Sequence, residues 1–189
     1  GKYGGVWHRG FLGPSDYNNY VRVVYDGLVR FSPDGSKVEP RLIESWESSD
    51  DFTTWTIYMR KGAKWSDGEP FTADDIMFWY EDVLLNTDLT PSVPKWMQNK
   101  DGTAAVVAKV DDYTVTWTYT QPNTTLMMEL ANQDGGDKSF AVFQPAHYLK
   151  QFHAKYADEA ELNQMVTEAE FKTWAELFAT RKNPAENPD

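Results

Sequence analysis

The stretch TTWTIYMRKGAKWSDGEPFTADDI, residues 53–76, constrains the fold more than any other part of the chain. Trp55, Ile57 and Met59 alternate with Thr54, Thr56, Tyr58 and Arg60, the period-two pattern of a half-buried strand. Asp67-Gly68 is a turn signal. Thr72 then stands where a helix N-cap belongs, with Asp75 three residues on and able to reach back to the cap N–H. Asp is a variant here, since Glu or Gln is usual. Phe71 and Ile76 have the spacing of a hydrophobic staple. Asp74 and Asp75 fall in the first helical turn, where the helix dipole favours negative charge. Ile76, Trp79, Tyr80, Val83 and Leu84 continue at helical spacing. A strand, a turn and a capped helix therefore follow one another, and the chain must mix α and β structure.

Four acids crowd residues 64–76, which raises the question of chemistry. A calcium loop needs ligands at alternating positions, then a Gly, then a bidentate Glu at the twelfth. Asp67-Gly68-Glu69 does not fit that pattern. A glycoside-hydrolysing pair needs two carboxylates about 5–9.5 Å apart across a cleft. Asp74 and Asp75 are adjacent on a helix and diverge by about 100°. An acid elsewhere in the chain could still complete such a pair. Local structure accounts for Asp67, Asp74 and Asp75, and leaves Glu69 as a loop residue.

Elsewhere, residues 4–12 read as a short strand and 13–19 as a Gly/Pro/Asn loop. Val21, Val24, Tyr25 and Leu28 predict a helix within 20–31, with Gly27 near its stop. Residues 32–36 form a turn around Pro33 and Gly35. The strand at 54–60 is half of a first hairpin. Residues 105–119 make a second, with Asp111-Asp112 as its turn and Tyr113, Val115, Trp117 and Tyr119 on one face. Two helices follow. Tyr148, Leu149, Phe152 and Tyr156 stripe the first. Phe171, Trp174, Ala175 and Phe178 stripe the second, with Thr167 and Glu170 as a capping box at its start. The fold class is α+β, a mixed or antiparallel sheet of hairpins with packed helices.

A net charge of −11 argues against nucleic acid and anionic membranes as partners. The absence of cysteine excludes disulfides, thiolate metal sites and a Cys nucleophile. No apolar run approaches the roughly 20 residues that span a bilayer. His147 and His153 are six apart, not the i, i+4 of a paired metal site. His147 is expected to be a helix-start residue with a satisfied hydrogen bond. Asn123-Thr124-Thr125 matches a glycosylation sequon, but a three-residue match is cheap. No metal and no cofactor is expected.

VYDGLVRF, VEPRLIESWE, the run TWTIYMRKGAKWSDGEPFTADDIMFWYEDVL and VFQPAHYL together resemble the bacterial extracellular solute-binding proteins of family 5, the peptide receptors of ABC importers. The longest match, Arg60 to Asp75, is the most specific. Its Trp65, Asp67, Gly68, Phe71, Thr72 and Asp75 form the structural signature, and Pro145 to His147 is a weaker echo. The resemblance implies part of a type II periplasmic-binding-protein architecture. Residues 1–36 would open the first, ligand-cleft domain and 37–145 would form a smaller second domain. Residues 146–189 would lead back as a helical segment, with the third domain absent from this chain.

The resemblance also implies a function: capture of an oligopeptide by closure of a cleft, without catalysis. An oligosaccharide is the alternative ligand, and a carboxylate-dependent glycosidase is the alternative of another class. Two groups could face a ligand. One is the loop of Phe11, Gly13, Asp16, Tyr17 and Asn18. The other is Trp96 with Met97 in a Pro-flanked segment, although a packed loop aromatic is the better reading of Trp96. The implied setting is periplasmic or extracellular, free or membrane-anchored as a lipoprotein, with an ABC permease as partner. With one wall of the cleft missing, binding by these residues alone is expected to be weak. The strand at 4–12, lacking its sheet, is expected to self-associate with another copy or fold back.

Overall fold

A computed structural model describes residues 27–132 and 142–182. Strand β1 (Val29–Phe31) pairs antiparallel with β2 (Val38–Pro40) across the Pro33–Gly35 turn. Gly35 closes that turn with φ +71, a conformation that suits glycine. The helix expected within 20–31 gives way to β1 over its last residues. The turn supplies β-branched Val29 with a cross-strand ladder, and that outweighs the helical spacing of Leu28. The rest of that helix, the strand at 4–12 and its self-association lie outside the described residues.

Strands β3 (Ile43–Ser48), β4 (Thr54–Met59), β5 (Val106–Asp111) and β6 (Thr114–Thr118) form one antiparallel sheet in the order β3-β4-β6-β5. Trp55 lies opposite Trp117 and Ile57 opposite Val115, so both hairpins present apolar residues to one face. Trp55, Ile57, Met59, Val107, Val115 and Trp117 are all buried, as the alternation predicts. The second turn falls one residue later than expected, at Asp112-Tyr113, because Asp111 pairs with Thr114 after an irregularity at Lys109.

Helix α1 (Ala73–Phe78) runs into a π-helical segment, Trp79–Leu84, and covers the inner face of the sheet. Ile76, Trp79, Tyr80, Val83 and Leu84 are buried there. At about 1.5–3 kcal/mol for each large apolar side chain, this face is the main source of stability. A 3-10 turn, Lys95–Met97, and helix α2 (Leu126–Ala131) close one end.

The C-terminal helices differ most from expectation. Helix α3 (Ala146–Leu149) tightens into a 3-10 turn, Lys150–Phe152, and stops at His153. Leu149 and Phe152 are buried as predicted, but Tyr156 lies beyond the helix. Helix α4 (Glu159–Glu168), capped by Asp158, is an element the stripes did not show. Thr167 sits inside it, bonding Asn163 O at 2.8 Å, so the expected capping box at Thr167 and Glu170 does not form. Glu170 instead adopts φ +59 after the helix ends. The pattern recurs six residues on: Glu176 N–H donates to Thr173 Oγ1 at 3.2 Å at the start of α5 (Trp174–Lys182). Two Thr-x-x-Glu runs compete, and burial of Leu162 and Val166 commits the first to the inside of α4.

These helices are tied to α1's extension by a buried carboxylate. Asp82 accepts Lys155 Nζ and the Tyr156 hydroxyl, each at 2.6 Å. His153 Nδ1 accepts the Lys155 N–H at 3.1 Å, so its Nε2–H donates to the Asp82 carbonyl at 2.9 Å.

Candidate functional site: an aromatic cleft and the scaffold behind it

The acid-rich stretch folds as scaffold. Thr72 caps α1, and Asp75 completes the capping box by accepting the Thr72 N–H at 3.0 Å. The same carboxylate accepts the Trp65 indole N–H at 3.1 Å and the Ala146 N–H at 3.1 Å. Burial pushes the Asp75 carboxyl above the usual carboxylate range, against the pull of these N–H groups. Asp67 accepts the Glu69 N–H at 3.1 Å and meets His147 Nε2 at 2.7 Å. Those two contacts, the backbone N–H first, hold the Asp67 carboxyl below its usual range. Gly68 has φ +94, which the turn demands. Trp65, Phe71 and Phe143 pack ring against ring at 5.1–5.9 Å. Asp74 turns the other way, to Lys109 at 2.9 Å. The two adjacent acids therefore serve different contacts and face no common substrate. His147 is at the helix start with a satisfied bond, as the sequence predicts.

At the opposite end of α1 a shallow cleft of about 280 Å³ is bordered by Lys95, Trp96, Gln121, Asn123, Thr125 and Glu129. Trp96 is half-buried and stacks on Trp79 at 6.3 Å with 9° between the ring planes. Trp79 in turn packs on Trp117 at 6.4 Å. The Tyr119 hydroxyl fixes the Trp96 carbonyl at 3.1 Å. Burial raises the Tyr119 pKa, so the phenol stays a neutral donor. Met97 is a core residue, fully buried, with Sδ 3.3 Å from Trp117 Nε1. It supports the wall from beneath, and Trp96 alone of the pair borders the cleft. Phe11, Gly13, Asp16, Tyr17 and Asn18 lie outside the described residues.

The amides beside Trp96 are oriented by their own bonds. Gln121 Oε1 accepts the Lys100 N–H at 3.2 Å and the Thr120 hydroxyl at 2.8 Å. Asn123 Oδ1 accepts the Thr125 N–H at 3.0 Å. With the oxygens committed, the cleft offers mainly N–H donors: the Gln121 NH₂, the Lys95 ammonium and what the Asn123 NH₂ retains beside its bond to the Tyr119 hydroxyl. Glu129 is the one carboxylate on its border. A flat ring flanked by donors suits a ligand rich in carbonyl or hydroxyl oxygens. Sequence reading missed Gln121 and Asn123. Their only signal was a Pro/Asn loop directly after a strand.

The profile of the family described as "Bacterial extracellular solute-binding proteins, family 5 Middle" matches residues 37–183. The chain belongs to this family. Its members are solute-binding receptors. The chain is 34% identical over 135 residues to the periplasmic alpha-galactoside-binding protein of Rhizobium meliloti (strain 1021), covering 69% of this chain and 18% of that one. It is 28% identical over 162 residues to di/tripeptide-binding protein 1 of Pseudomonas aeruginosa (strain UCBPP-PA14), covering 79% of this chain and 29% of that one. A solved oligopeptide-binding protein OppA superposes with a TM-score of 0.81 at 36% identity, over 100% of this chain and 28% of that one. The fold is thus part of a type II periplasmic-binding-protein architecture, and the chain spans less than a third of each of these proteins.

Proposed function

We propose that these residues serve in a receptor of an ABC importer that captures an oligopeptide by cleft closure, with no catalysis of their own. The single observation that carries this reading is Trp96, stacked on Trp79 and flanked by amide N–H donors. An extended peptide offers backbone carbonyls to such donors, and apolar side chains to the ring. The non-catalytic reading is supported by the acids of the signature, which are spent on capping and pairing. At about 280 Å³ the cleft falls below the roughly 300–1,000 Å³ of a complete ligand pocket, so it acts as one wall of a site. We place the receptor in the periplasm, facing a permease, with residues 1–36 in the ligand-cleft domain and 37–145 in the second.

An oligosaccharide is the second reading. Trp96 with neighbouring planar amides would stack and bond a sugar equally, and one relative is named for alpha-galactosides. Calorimetry of the chain against short peptides and raffinose-type oligosaccharides tests both. We expect weak binding of peptides, with dissociation constants above about 10 μM, roughly −7 kcal/mol. Loss of that binding in Trp96→Ala supports the peptide reading. Binding of the sugars alone overturns it in favour of the oligosaccharide.

A further inference from the structure

A second groove lies elsewhere, along one side of α4. Its volume is about 540 Å³. Tyr156, Ala157 and Met165 form an apolar floor, and Asp158, Glu161 and Glu168 form the rim. From Tyr156 to Phe171 the sequence has five acidic residues, the rim acids with Glu159 and Glu170, and no Lys or Arg. The Asp82 carboxylate holds the Tyr156 hydroxyl at 2.6 Å, so the exposed ring is presented rigidly. That ring already meets two cations: Lys150 Nζ lies 5.0 Å from its centroid and Lys155 Nζ 5.1 Å. They mark the one basic end of an otherwise acidic groove.

We infer that this groove docks a basic, amphipathic segment of a partner protein. The rim selects for Lys and Arg, and the Met165 and Ala157 floor accepts the apolar residues between them. A small molecule is a poor occupant. Every lining side chain is exposed or half-exposed, so a small ligand would keep too much of its surface in water. A segment carried by a larger body does not need such enclosure. The groove is distinct from the Trp96 cleft, and its occupancy does not depend on which solute the receptor captures.

The test is titration of the chain, followed by the Met165 methyl resonance, with a short amphipathic lysine–leucine peptide. Two controls accompany it: the same composition scrambled to remove the apolar face, and spermidine. Binding of the amphipathic peptide, weakened about tenfold in Glu161→Lys/Glu168→Lys, supports the inference. So does weaker binding in Met165→Ala. Charge reversal of Glu44 and Glu47, exposed on β3, should have a smaller effect. No binding overturns the proposal. It is equally overturned if the scrambled peptide or spermidine binds as tightly, or if reversal on β3 costs as much. Those outcomes would mean only non-specific attraction to a net charge of −11.

Discussion

The Asp75 carboxylate accepts the backbone N–H of Ala146, 71 positions away, at 3.1 Å. It also holds the Thr72 N–H and the Trp65 indole. One side chain therefore caps α1, pins the signature turn and anchors the start of α3. Asp75→Ala strands three donors, and each buried donor left unpaired costs about 1–3 kcal/mol. Thr72→Ala removes only the cap acceptor, at about 0.5–2 kcal/mol. Denaturant midpoints should fall from wild type to Thr72→Ala to Asp75→Ala. Equal losses in the two variants would contradict the three-way role of Asp75.

Two aspartates should give stability opposite pH dependences. Burial raises the Asp75 pKa, so the folded protein binds that proton more tightly than the unfolded chain does. Its contribution favours folding in acid and declines as pH rises above about 3.9, the unfolded value, toward the raised folded one. The Ser32 hydroxyl and the Ser36 N–H lower Asp34 to about 2. Its contribution is present at neutral pH and is lost as pH falls from the unfolded value toward about 2. The stability advantage of wild type over Asp75→Asn should therefore grow in acid, while that over Asp34→Asn should shrink. Urea midpoints across the acid range check this, and parallel trends would refute the assignment.

Trp96 and Met97 are neighbours with separable roles. Met97 is fully buried, and truncating such a side chain costs about 2–5 kcal/mol. Met97→Ala should lower the thermal midpoint clearly. Trp96→Ala should cost less stability and remove ligand binding. Comparable stability losses in the two variants would place Trp96 in the core with Met97.

The Asp82 clasp should show coupling. Lys155 and Tyr156 serve the two oxygens of one buried carboxylate. Tyr156→Phe leaves one oxygen unpaired, at about 1–3 kcal/mol. A double-mutant cycle with Lys155→Met should give a coupling of about 0.5–3 kcal/mol. Strict additivity would show that the two residues act independently of one another, contrary to a shared clasp on Asp82.

The sheet and α1 were legible because their determinants are local. Alternation sets the burial of Trp55, Ile57 and Met59, and the cap, staple and first-turn acids sit within a few residues of one another. The C-terminal helices were less so. Thr167 and Thr173 carry the same cap pattern, and only packing of Leu162 and Val166 decides between them. The cleft was half legible. Trp96 is conspicuous as a loop aromatic, but Gln121 joins it only because β6 ends beside the 3-10 turn. Nothing in the spacing of residues 96 and 121 reports that approach.

In the proposed receptor Trp96 faces the ligand, whereas Trp65 is bonded into the scaffold through Asp75. The direct measurement is titration of the chain with short peptides, followed by the indole N–H resonances of both residues. Weak binding suffices for this readout. The Trp96 resonance should move with peptide concentration, while that of Trp65, bonded to Asp75 at 3.1 Å, stays in place. A moving Trp65 beside an unchanged Trp96 would contradict the account.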